Sequence, residues 1–370
     1  MPYEPNNRAL PRDAMVRELM KPLLHVLAIP GATEIVINRA TEAFVEVGPD
    51  WQCYDLPDMT YERLHALAQT IATYSDQTLC PERPILSAKL PDGERIQIIV
   101  PPVVEPEAIS ISIRLPSSDI RTLAEYQQDG TFDRFVWARP QHLENRQNDL
   151  QSTDIELMKH LESNRLADFI DLAVRAKKNL AIVGETGSGK TTLMKTICHS
   201  IPSHERIITI EDVRELFLPH HPNRVHLLYS KGDQGVARVT PADLIAANMR
   251  MKPDRVLLAE LRGSEAFDYL KLLTTGHSGS VTSFHAESCA LAAERYVFMS
   301  KEHKDAESYD ANALKALVTL TIDIIIHVAA VTEGEGAKRR KARYVSEVHF
   351  DPVAKLNSRF GEAPLHRAGT

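Results

Sequence analysis

A chain of 370 residues has room for two or three domains at roughly 150 residues each. Its apolar and charged shares, 43% and 25%, are those of an ordinary globular protein and exclude a disordered, collagen-like or membrane-bundle chain. A formal net charge of −7 argues against nucleic-acid backbone binding as the main activity, so direct nucleic-acid contact is expected to be weak at most.

The opening Met1-Pro2-Tyr3-Glu4-Pro5-Asn6-Asn7 has no basic flank followed by an apolar stretch, so no secretory leader is expected and the chain reads as cytoplasmic. A small α+β domain is expected over 1–130. Asp13 stands where it would cap a helix whose Met15, Val16, Leu19, Met20, Leu23 and Leu27 recur at helical spacing. Short strands are predicted at 34–38 and 43–47. A second helix follows Thr60, with Leu64, Leu67, Ala68 and Ile71 on one face. Residues 85–90 and 94–100 then read as two strands around Pro91-Asp92-Gly93. Alternation sets Ile96, Ile98 and Val100 against Arg95, Gln97 and Ile99, and Ile109, Ile111 and Ile113 against Ser110, Ser112 and Arg114. Arg95 and Arg114 are therefore expected on the polar face of a sheet.

From Gln127 to about Asp154 the chain is polar and aperiodic, which predicts an interdomain linker over 131–160. Beyond it, over 161–370, helices alternate with short apolar runs at 179–183, 206–210, 255–259 and 279–284. That pattern predicts a doubly wound, mainly parallel α/β sheet buried on both faces. A further apolar run, 320–331, is broken by Asp323 and His327 and is too short to cross a bilayer. It reads as a buried strand. The basic Lys338-Arg339-Arg340-Lys341 with Arg343 reads as a solvated hairpin tip, or else as a contact for acidic lipid or a partner.

At the ends of the four predicted parallel strands stand a glycine-rich segment, Glu211, Glu260 and His285, and ligands of open α/β sheets bind at that edge. The segment is Gly184-Glu185-Thr186-Gly187-Ser188-Gly189-Lys190-Thr191, followed by Thr192 and an amphipathic helix. A strand, this motif and a helix in that order form a phosphate-binding loop. Its N–H groups would wrap phosphates at a helix start, with Lys190 reaching the terminal phosphates and Thr191 on Mg²⁺. Glu260 ends a strand where P-loop enzymes carry a Mg²⁺-associated acid, and Glu211 ends another where a carboxylate would prepare water. Asp212 and Glu215 are less well placed, and which glutamate is the base stays open. His277 and His285 bracket the run Ser278–Phe284 and are candidates for sensing the γ-phosphate. Cys53, Cys80, Cys198 and Cys289 are scattered, and His285 with Cys289 lacks the second ligand pair of a zinc site. No Asn-Lys-x-Asp element for guanine is present, so ATP is the expected nucleotide; a small-molecule kinase is a competing class.

This motif set resembles the traffic ATPases of bacterial type IV secretion and conjugation systems, within the type II/IV secretion NTPase superfamily. The resemblance rests on the phosphate loop, Thr209-Ile210-Glu211-Asp212, the strand ending at Glu260 and the 276–286 histidine segment. It extends into the first domain through Glu34–Asn38, Gly93–Gln97 and Ser110–Arg114, and so covers nearly the whole chain. It implies a RecA-like second domain, a hexamer of stacked rings, nucleotide between the two domains of a subunit, and Arg95 and Arg114 approaching the phosphates. It also implies other inner-membrane components as partners and peripheral contact with that membrane. The chain departs from the pattern at Val213, where many relatives carry proline, and in its long polar linker, which leaves domain swapping open. Type II secretion ATPases often carry a four-cysteine zinc module missing here; pilus retraction motors are a closer alternative. A nucleotide-locked assembly platform is a further one.

Overall fold

The computed structural model describes residues 11–115, 120–141, 143–229, 239–336 and 339–361. Two compact units are present, one built on residues 11–115 and one on most of the chain from 120 onward.

The first unit is an antiparallel six-stranded sheet in the order β3-β2-β1-β6-β5-β4. Its strands are β1 (Ala32–Ile37), β2 (Glu42–Val47), β3 (Asp50–Asp55), β4 (Ile85–Lys89), β5 (Arg95–Ile99) and β6 (Ser110–Arg114). One face is covered by the helix Tyr61–Tyr74, whose Leu64, Leu67, Ala68 and Ile71 share a core with Ile35, Val45, Ile96, Ile98, Ile111 and Ile113. Thr60 caps that helix by accepting from the Arg63 N–H. Asp13 stands at the start of Ala14–Met20, but its carboxylate takes the Arg17 guanidinium at 2.6 Å instead of a backbone N–H. Alternation leaves Gln97 and Ser112 on the other face, with Arg95 opposite Arg114, and Arg114 in turn opposite Glu34. Like charges paired directly across a sheet repel. Glu34 beside them offsets part of that repulsion.

The second unit holds an eight-stranded sheet in the order β10-β9-β11-β12-β8-β13-β14-β7. Its members are β7 (Val136–Trp137), β8 (Leu180–Val183), β9 (Ile207–Glu211), β10 (Arg224–Leu228), β11 (Arg255–Leu258), β12 (Val281–Phe284), β13 (Ile324–Glu333) and β14 (Arg340–Phe350). From β10 to β13 every recorded pairing is parallel. Strand β8 shows how it is buried: Leu180 and Ile182 enter one core and Ala181 and Val183 the other. Helices Ser152–Glu162, Leu166–Arg175 and Lys190–His199 cover the first of these faces. Glu265–Thr274, Cys289–Lys301 and Ala311–Thr321 cover the second. The expected doubly wound α/β architecture is what forms, with a smaller α+β unit before it.

The stretch read as a polar linker is a correction. Phe132, Leu143 and Leu150 are buried in the second unit's core, Tyr126 stacks on Phe132, and Val136–Trp137 joins the sheet parallel to β14. The helix Ser152–Glu162 buries Leu157, Met158 and Leu161. Ahead of that helix Phe132, Leu143 and Leu150 stand apart from one another in a stretch rich in Arg, Asn and Gln, so no periodicity announces them. Strands β3 and β10 were also unmarked, both having half-exposed edges with little apolar alternation.

At the N-terminal edge of the second sheet Arg255 is fully buried and donates to Glu205 through Nε at 2.5 Å, and to the Gly279 carbonyl. Gly279 is required there, because a Cβ would stand 2.7 Å from the guanidinium. Removing one partner of a buried ion pair strands the other charge in a low dielectric. Arg255→Ala is therefore expected to destabilise the second unit by about 3–5 kcal/mol, measured as a lowered urea midpoint of its unfolding transition.

Candidate nucleotide site

Strand β8 is fully buried and its chain leaves at Gly184, with φ of +150°. A Cβ there would stand 2.2 Å from the Val328 carbonyl oxygen of β13 and 2.8 Å from the Ser188 hydroxyl. Only glycine fits this exit. Gly187 and Gly189 follow at φ of +75° and +100°, and Gly189 is the N-cap of the helix Lys190–His199. The loop and the first turn of that helix, whose N–H groups have no intrahelical partner, therefore lie together at the end of β8. Glu185 and Thr186 are exposed on the loop, and Thr191 and Thr192 are half-buried in the first turn. Ser188 is fully buried, and its hydroxyl has no hydrogen-bond partner among the described residues. A buried hydroxyl without a partner is costly unless a ligand supplies one.

Lys190 is 8% exposed and is held by the loop itself, donating at 2.8 Å to the carbonyls of both Gly184 and Glu185. Its amine also lies 3.3 Å from His285 Nδ1. An ammonium has no lone pair to offer, so Nδ1 accepts and the ring proton sits on Nε2. That proton points to Glu260 Oε1, 3.2 Å away. Glu260 Oε2 accepts from Arg262 at 2.6 Å, and the other guanidinium nitrogen of Arg262 lies 3.2 Å from Asp212. A polar chain thus runs Lys190, His285, Glu260, Arg262, Asp212 along the C-terminal ends of β8, β12, β11 and β9.

Glu211 differs in kind. Its carboxylate is fully buried; Oε1 accepts from the Thr209 hydroxyl at 2.7 Å, and Oε2 accepts from the N–H groups of Glu215 and Leu216 at 2.7 and 2.9 Å. His226 Nδ1 donates to the same Thr209 oxygen at 2.8 Å. With its lone pairs taken by the protein, Glu211 shapes the 212–216 turn. Glu260, partly exposed at the crevice, keeps a face for solvent.

The two histidines part company. Because β12 runs parallel to β8, its residue after Phe284, His285, reaches the phosphate-loop edge. His277 precedes the strand, pairs with the Thr275 hydroxyl and lies at the opposite edge, roughly 13 Å of strand away at about 3.3 Å per residue. Within one chain it does not meet the loop. Cys289 is buried; its thiol donates to the Ile325 carbonyl, and burial pushes its pKa up to about 12.

Arg262 and Asp212 went unmarked as partners of Glu260, since their meeting depends on the adjacency of β9 and β11. Two residues of the basic run also meet the loop. Arg343 Nε donates at 3.0 Å to the Gly187 carbonyl, and the Lys341 amine lies 3.1 Å from where a Gly187 Cβ would be.

Residues 18–332 match the model of the family described as type II/IV secretion system protein. The chain belongs to that family. It is 41% identical over 354 residues, 95% of its own length and 94% of the relative's, to the type IV secretion system protein VirB11 of Brucella suis biovar 1 (strain 1330). It is 40% identical over 336 residues, 90% and 96% of the two lengths, to the type IV secretion system protein PtlH of Bordetella pertussis (strain Tohama I). Among solved structures, the VirB11 ATPase of the Brucella suis type IV secretion system, in complex with sulphate, is 40% identical with a TM-score of 0.52, covering 94% of this chain and 98% of that one. The pilus retraction motor PilT with bound ADP shares the fold at 16% identity and a TM-score of 0.56, covering 92% and 85%.

Gly184→Ala should abolish nucleotide binding and lower the thermal midpoint, because the new methyl meets a strand carbonyl that cannot move. Gly187→Ala should be milder, about 1–2 kcal/mol for its left-handed backbone, because the neighbour it meets is the flexible end of Lys341. Calorimetry of both variants with and without ADP reads the difference.

Proposed function

We propose that this protein hydrolyses ATP at the 184–191 loop as the motor ATPase of a type IV secretion system, powering pilus assembly or the transfer of a protein or nucleoprotein substrate. The observation that carries the reading is the continuous chain from Lys190 through His285 to Glu260 at one sheet edge, beside a glycine loop with an unsatisfied buried hydroxyl. The high identity to type IV secretion proteins over nearly the full chain supports the secretion role over pilus retraction, where the likeness is one of fold.

Phosphoryl transfer asks the protein mainly for positioning and charge. The loop N–H groups hold the phosphates, and Lys190, released from the Gly184 and Glu185 carbonyls, moves onto the terminal phosphate. Glu260 is the better base: it is open to the crevice, while Arg262 and His285 fix its orientation. His285 links Glu260 to Lys190 and so reports the loss of the γ-phosphate to both. Mg²⁺ arriving with ATP would neutralise phosphate charge and needs few protein ligands; the Thr191 hydroxyl would hold it, with the partly exposed Glu260 reaching it only through a water and so kept free as the base. Arg95 and Arg114, adjacent on the polar face of the first unit's sheet, supply a paired cationic group suited to phosphates. His277, away from the loop of its own chain, has no part in this site.

The working form we propose is a homohexamer, peripheral to the inner membrane and partnered by other components of the secretion system. Among the described residues no helix is long and apolar enough to cross a membrane.

Glu260→Gln should lower kcat roughly 10²- to 10⁴-fold while leaving ATP affinity and assembly intact. Glu211→Gln should lose thermal stability along with activity, since an amide cannot satisfy both the Thr209 hydroxyl and two backbone donors. Steady-state hydrolysis, calorimetry and light scattering on the two variants decide it. Near-normal turnover in Glu260→Gln, with a stable but inactive Glu211→Gln, would reverse the roles.

A further inference from the structure

We propose that Lys341 and Arg343, on β14, bind the phosphates shared by ATP and ADP, and so set nucleotide affinity and ADP retention. The inference rests on the nucleotide reading of the 184–191 loop.

Three contacts carry it. Arg343 Nε donates to the Gly187 carbonyl at 3.0 Å, its Cδ lies 3.2 Å from the position of a Gly189 Cβ, and the Lys341 amine lies 3.1 Å from that of a Gly187 Cβ. Residues two apart on a strand share a face, so β14 directs both cations to the same loop. The glycines at 187 and 189 thereby serve twice: their positive φ bends the loop, and their missing side chains admit the two cations. A run of basic residues that reads in sequence as a solvated turn is thus partly folded onto the phosphate loop.

Sheet order assigns which phosphates they serve. Glu260 and His285 end β11 and β12, on one side of β8; Lys341 and Arg343 come from β14, on the other side, beyond β13. The hydrolytic groups therefore face the terminal phosphate from one flank, and the β14 cations meet the loop from the flank left to the rest of the nucleotide. A backbone carbonyl is a weaker acceptor for guanidinium than a phosphate oxygen. Arg343 accordingly exchanges Gly187 for phosphate when nucleotide enters, as Lys190 exchanges Gly184 and Glu185.

The test is titration of the full-length Arg343→Gln and Lys341→Gln proteins with a fluorescent ADP analogue and with ATP, alongside kcat, KM and nucleotide-free melting. Losing one charge-assisted bond should raise Kd for ADP and ATP alike by about tenfold and raise KM at unchanged kcat, with nucleotide-free melting lowered by no more than the single Arg343–Gly187 bond accounts for. Arg343→Lys should recover part of the affinity. ADP binding within about twofold of wild type in both variants overturns the proposal, as does a fall in kcat at unchanged KM, which would put these cations on the terminal phosphate. An affinity loss with nucleotide-free melting lowered beyond what that bond accounts for also overturns it, since that is a packing effect. Lys190→Ala separates the two levels. If it loses ADP while the β14 variants keep it, only the β14 assignment falls; if it too binds ADP normally, the site reading itself fails.

Discussion

The close passage of Gly184 against the Val328 carbonyl governs the rest of the second unit's chemistry. Strand β8 is fully buried, with β12 on one side and β13 on the other, so the chain can leave its end only through a gap too narrow for a side chain. That exit fixes where the loop turns back and where the helix Lys190–His199 begins. It fixes in turn where a row of backbone N–H groups and the Lys190 amine converge. The proposed anion site is thus a consequence of sheet packing, with glycine as the one residue that lets a strand, a loop and a neighbouring carbonyl occupy the same few ångströms.

Around that fixed point the charged groups are arranged as an alternation of donors and acceptors. Lys190 donates to loop carbonyls and to His285, His285 donates to Glu260, and Glu260 accepts from Arg262, which also holds Asp212. Each link is made at a different strand end, so a change at the phosphate has a connected path to the turn after β9. Glu211 stabilises that turn from beneath, buried and saturated by its own hydrogen bonds. Two acidic strand ends that look alike in sequence are thus set apart by solvation: one carboxylate is spent on structure and the other remains open to chemistry.

Much of this was legible in the sequence because it is local. Eight consecutive residues carry the proposed phosphate loop, and strand runs such as 179–183 and 255–259 announce both the sheet and the edge where Glu260 and His285 stand. Period-two alternation likewise put Arg95 and Arg114 on the polar face of the first sheet. What escaped depends on pairing between distant segments. Arg262 meets Asp212 only because β11 lies next to β9, and Val136–Trp137 is a strand only because β14 offers an edge. Phe132 and Leu150 reach the core one at a time from a polar stretch, without a pattern. His277 and His285 look symmetrical as letters, yet a parallel strand must separate the residues at its two ends. The basic run reads the same whether solvated or folded back, and only the course of β14 brings Lys341 and Arg343 to the loop.

The most direct test of the account is a crystal structure of the full chain with Mg²⁺ and a non-hydrolysable ATP analogue. The phosphates should be wrapped by the N–H groups of 184–191, with the Lys190 amine moved from the Gly184 and Glu185 carbonyls onto a phosphate oxygen and Glu260 facing the γ-phosphate. Nucleotide bound elsewhere, or Lys190 still tied to those carbonyls with Glu260 turned away, would contradict it.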